Sequence, residues 1–129
     1  MEVSESKTSG ELIAEITGGA NLVDGKQTWE YAEDQKNDIE IMKKCCDAEL
    51  ETMEKAGIVP APYYFERVAI LSRKEKNYKQ EIMYCERYIN AVENYYQKNL
   101  TEHFADVRQG SRYKSILNRL IKAKELLMK

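Results

Sequence analysis

Four side chains in this 129-residue chain are of the kinds that hold a metal or act as a nucleophile: Cys45, Cys46, Cys85 and His103. Their number suits zinc, but the paired ligand spacing of such sites is missing. Adjacent Cys45 and Cys46 would point about 100° apart on a helix and pair poorly with each other. An odd set of three cysteines gives no disulfide framework, the usage of a reducing compartment. The favoured reading is small core residues. Redox sensing and a Cys85–His103 nucleophile pair are the sharper alternatives. His103, the one histidine, reads as a solvated or capping side chain near a helix start. Gly18-Gly19-Ala20 is not followed by the Gly-Lys-Ser/Thr of a phosphate loop. Glu30, Glu33 and Asp34 lie in a charged helix start, where solvation is the default. Glu81 sits close to an apolar stripe and reads as half of a structural ion pair with Arg67 or Arg87. The expectation is a protein that is not an enzyme and has no cofactor and no metal.

Binding residues are better represented than catalytic ones. Nine tyrosines occur: Tyr31, Tyr63, Tyr64, Tyr78, Tyr84, Tyr88, Tyr95, Tyr96 and Tyr113. Tyrosine suits interfaces because it couples apolar area to a polar tip, although a core role wet at one end serves equally. Tyr63, Tyr64, Arg67 and Tyr84 are expected to line a groove that takes a peptide or a partner helix. Charge is uneven. Residues 1–60 carry 14 acidic and 6 basic side chains, and residues 108–129 carry 1 acidic and 7 basic. Either the acidic first part attracts the basic last helix, or that helix faces an acidic partner or a phosphate backbone. The second reading rests on Arg108, Arg112, Lys114, Arg119, Lys122 and Lys124. The pI near 5.6 counts against it.

Helices must position these residues, because apolar residues recur at three- and four-residue steps and strand-type alternation is nearly absent. Residues 1–27 read as a partly disordered tail with a short helix at Leu12, Ile13 and Ile16, ended by Gly18-Gly19. Residues 28–129 read as one helical domain. In it, Thr28 caps a helix from about Trp29 to Ala56, irregular through Glu33–Asp38 and stopped by Gly57. Pro60 and Pro62 then open a helix. Arg73–Asn77 is a turn, with Asn77 suited to the left-handed conformation. A second helix runs to about Lys98, Asn99 and Leu100 break it, and Thr101 caps a short turn holding His103 and Phe104. The last helix, 111–128, is basic and amphipathic on Tyr113, Ile116, Leu117, Leu120, Ile121, Ala123, Leu127 and Met128. No apolar run nears the roughly 20 residues that span a bilayer, and the acidic, polar start lacks the pattern of a secretory signal. A cytoplasmic location without membrane contact is expected.

The hairpin at 62–98 carries a resemblance. Ala69 late in its first helix, Tyr78 opening the second and Ile82 four residues later resemble one tetratricopeptide repeat. Glu81 and Tyr88 depart from that pattern, which favours small residues at both places. The match spans about residues 62–91, with no second copy at the roughly 34-residue period. The resemblance implies an all-α antiparallel hairpin array or bundle of about five helices, flanking helices that cover the lone repeat, and an adaptor or accessory subunit that binds another protein or a second copy of itself. Nucleic-acid association through the last helix is the alternative.

Overall fold

The computed structural model describes residues 8–98 and 106–129. The fold is all-α. Its described residues form five α-helices and one two-stranded hairpin: α1 Ser9–Thr17, β1 Leu22–Val23, β2 Lys26–Gln27, α2 Ile39–Ala56, α3 Tyr63–Lys74, α4 Tyr78–Lys98 and α5 Ser111–Leu127. Among these residues no helix is long and apolar enough to cross a membrane. His103, Phe104, Thr101 and the expected break at 99–100 lie outside the described residues, as do residues 1–7 of the expected tail.

Local chemistry sets the ends. A capping box of Thr8 and Glu11 starts α1, and Gly18 closes it with φ 68°. Asp24 (φ 49°) and Gly25 (φ 83°) then both take positive φ, the requirement of a type I′ turn, so β1 and β2 pair across them. This hairpin stands where the sequence reading had only a loop with a turn at Gly25. Its Val23 is buried in the shared core, and Ala20 just before it is buried as well.

The long helix expected from Trp29 is a correction. A 3-10 turn covers Thr28–Tyr31, and α2 begins only at Ile39, with Asp38 Oδ1 accepting from the Glu40 and Ile41 amides at 3.1 Å. The polar run Glu33–Asp38 offers no stripe to bury, whereas Asp38 is a strong cap. Trp29 is accordingly 65% exposed instead of packed in the core. The intervening chain is tied to α3. Tyr63 Oη donates to Ala32 O at 2.6 Å, Arg67 Nε to Lys36 O at 3.0 Å, and Arg67 Nη2 to Asn37 Oδ1 at 2.7 Å.

Between α3 and α4 the left-handed residue is Lys76 (φ 58°), not Asn77. Asn77 instead accepts the Gln80 amide at 3.1 Å and caps α4. Helix α3 is central, packing on α2, α4 and α5. Arg119 of α5 meets Glu81 near the start of α4, and Tyr113 meets Glu93 near its end, so the two run antiparallel. The shared core includes Met42, Cys45, Cys46, Phe65, Val68, Ala69, Cys85, Tyr88, Val92 and Ile116, all without exposed surface.

Candidate functional site

The thiols fall on inward stripes, and chemistry follows from that. Cys45, Cys46 and Cys85 are fully buried. Burial pushes Cys45 and Cys85 up to about 12, and Cys46 well above the ordinary thiol value. They hold their protons and cannot serve as ready nucleophiles. Among the described residues no group of three or more His, Cys, Asp or Glu is placed to hold a metal ion.

Of the four residues expected to line one groove, Tyr63, Tyr64 and Arg67 share α3, with the Tyr63 and Tyr64 rings edge-on at 5.4 Å, while Tyr84 lies on α4. Tyr64 and Tyr84 are buried at 5% and 6% exposure. Tyr63 and Arg67 clasp the 32–37 segment, and Arg112 stacks over the Tyr63 ring at 5.2 Å. Tyr84 lies on α4 beneath Arg87, whose guanidinium sits 4.9 Å from its ring and pairs with Asp47 at 2.9 Å. Each side chain is spent on this chain's own packing.

Most of the basic last segment is also engaged. Arg108 forks onto Asp106, reaches Glu93 at 3.2 Å and stacks on Tyr96. Arg112 donates to Glu66 Oε1 at 2.6 Å, and Ser115 Oγ donates to Oε2 of the same carboxylate. Arg119 joins Glu81, Lys122 lies near Glu125, and Lys124 near Glu86. Lys114 is exposed and has no carboxylate partner among the described residues. The partners come from α3, α4 and α5 itself or its approach. The pairing of the last helix with the acidic first sixty residues is therefore not what forms.

Glu81 is the centre of this network. It has no exposed surface, and it accepts Arg73 Nε at 3.0 Å, Arg73 Nη2 at 2.8 Å and Arg119 Nη1 at 2.9 Å. The sequence reading named Arg67 or Arg87 as its partner. Both are occupied elsewhere, while the turn returns Arg73 beside Glu81 and α5 brings Arg119.

Two depressions adjoin along the α2–α4 seam, of about 280 and 320 Å³, and share Met53, Glu54 and Asn94. Leu50, Met53, Ala91 and Tyr95 give apolar area. Arg87, Asn90, Asn94 and Lys98 present polar groups at three- and four-residue steps along α4. Asn90 and Asn94 are exposed, and their amides have no partner among the described residues. Sequence reasoning missed this groove because Asn90 and Asn94 look like an ordinary solvated face until α2 is laid beside them. A wider depression of about 490 Å³ lies between the hairpin and α2, crossed by the exposed Lys44–Asp24 pair at 3.4 Å. Its lining is half apolar (Ala20, Leu22, Val23, Ala48) and half charged (Asp24, Lys44, Asp47, Glu51).

The chain matches no family model, no curated protein and no solved structure.

Proposed function

We propose that this protein is an interaction module, a small adaptor or accessory subunit, that holds an extended segment of a partner protein in the α2–α4 groove. The observation that carries the reading is the ladder Asn90 and Asn94 above apolar Met53, Ala91 and Tyr95. Four residues of helix rise about 6 Å. Two residues of extended chain advance about 6.6 Å. Side-chain amides at that step can pair with the backbone N–H and C=O of alternate residues of a bound strand. The stacking of α3, α4 and α5 suits a tetratricopeptide-like hairpin covered by flanking helices, with no catalytic role.

Nucleic-acid association through α5 is the second reading. It has less support, because most cations of that segment already face carboxylates and phosphate contacts would have to displace them.

Selection of binders from a library of extended peptides tests the proposal. Selected peptides are expected to lose at least about tenfold in affinity on Asn90→Ala with Asn94→Ala, since paired hydrogen bonds at an interface are each worth about a kcal/mol. Both sites are exposed, so the melting temperature should hold. Peptides that bind the double variant as tightly as the parent would overturn it.

A further inference from the structure

A second, unrelated cleft of about 310 Å³ lies between α1, the hairpin, the 3-10 turn and α2. Its walls combine Ile13, Trp29 and Ile58 with Asn21, Thr28 and Glu49. Three of its donors are committed: Thr28 Oγ1 to Glu49 Oε2 at 2.9 Å, Trp29 Nε1 to Gln27 Oε1 at 2.8 Å, and Asn21 Nδ2 to Gly10 O at 2.9 Å. Thr52 Oγ1 is spent on Ala48 O at 2.7 Å. Against these, Asn21 is 9% exposed, and its Oδ1 is buried with no partner among the described residues. Turning the amide over would set Oδ1 against Gly10 O, so the orphan is fixed as an acceptor. Glu49 adds a half-buried carboxyl, pushed up by burial, whose Oε1 takes the Ala61 amide at 2.8 Å and whose Oε2 takes the Thr28 hydroxyl at 2.9 Å. The indole of Trp29 offers an exposed π-face beside them.

We propose that this cleft binds a primary ammonium group on a short aliphatic stem. Such a ligand brings N–H donors to Asn21 Oδ1 and Glu49, a positive charge to a carboxylate and an indole face, and methylenes to Ile13 and Ile58. Charge complementarity extends beyond the cleft. The described residues 8–60 hold 12 acidic against 5 basic side chains, and the ion pairs of α5 go to α3, α4 and its own turn. The potential on this side therefore draws cations. The chemistry is that of a lysine side chain and equally of a free alkyl amine.

Trp29 is the only tryptophan, so its fluorescence and its indole N–H resonance report on this cleft alone. The full chain is titrated with butylammonium, 1,5-diaminopentane and Nα-acetyl-lysine methylamide, with n-butanol as the neutral isostere. Saturable millimolar binding of the ammonium probes, as expected for so small a ligand, with at least about tenfold weaker response to n-butanol, is the expected result. Glu49→Gln keeps an acceptor for the Ala61 amide and removes the charge. It should weaken ammonium binding by about tenfold or more while leaving the thermal transition in place. If the methylamide binds best, the source is a lysine of a protein; if the diamine does, it is a small amine. The proposal falls if Trp29 does not respond to any ammonium probe, if n-butanol binds as well, or if Glu49→Gln, still folded, binds unchanged.

Discussion

Tyr88 buries its ring completely between Phe65 and Tyr113, and its hydroxyl has no hydrogen-bond partner among the described residues. A buried polar group left unpaired costs roughly 1–3 kcal/mol, and a phenyl ring of the same shape escapes that cost. Tyr88→Phe is therefore expected to be neutral or to stabilise by about 1 kcal/mol, read as a rise in the urea midpoint at unchanged slope. A loss above about 1 kcal/mol would mean the hydroxyl is satisfied after all. At this scale the sequence was legible for direction and not for environment. The three-four spacing placed Tyr88 and Cys85 inward, and both are. The same spacing could not say what a phenol meets at its far end. Nor did it show that Tyr64 and Tyr84 lie inside, or that Asn21 ends buried. Those outcomes depend on side chains that arrive from other elements.

At the scale of elements, the Arg73–Glu81–Arg119 triad joins α3, α4 and α5 at one point. Removing the buried charge strands two guanidiniums, whereas replacing the whole set with apolar groups strands none. Glu81→Gln should cost about 3 kcal/mol in denaturant unfolding. The set Glu81→Leu, Arg73→Met and Arg119→Met should recover most of it, because the desolvation cost leaves with the charges. A set as unstable as Glu81→Gln alone would contradict this account. The sequence marked Glu81 as a structural ion-pair residue, yet it named the wrong arginines. Arg73, eight residues from Glu81, reads from sequence as part of a polar turn, and Arg119 lies a whole helix away. Boundaries fared similarly: Gly57 and Pro62 ended and opened helices where expected, while the polar run before Asp38 stopped being helix because no stripe held it down.

At the scale of the molecule, buried acids tie stability to alkaline pH. Cys45, Cys85, Tyr64 and Tyr113 are each raised to about 12 by burial. The unfolded chain would release these protons from the ordinary values of 9.0 and 10.0, while the fold retains them to about 12. Their contribution is thus fully present below about pH 9 and is lost as pH rises towards 12. The thermal midpoint should stay level from pH 7 to 9 with respect to these groups and then fall. At pH 8 a thiol reagent should label all three cysteines no faster than the protein unfolds; labelling that outruns unfolding would refute burial of the thiols. The all-α class was legible at this scale from periodicity alone. The destination of the charges was not: counting gave the imbalance between the chain's two ends, while packing decided that the last helix answers carboxylates on its neighbours.

Each long helix packs chiefly on the next in the chain, with α3 against α5 and the α2–α4 seam joining elements further apart. Short loops cost little entropy to close, so most of this structure assembles through a brief local search, as in fast-folding helical proteins. Arg73 meets Glu81 within the α3–α4 hairpin, whereas Arg119 reaches it only when the last helix docks. Docking of the last helix is expected to follow the rate-limiting barrier. For Arg119→Met the penalty should then appear in stopped-flow traces as faster unfolding with folding little changed, which makes that contact a determinant of how long the native state lasts rather than how quickly it is reached.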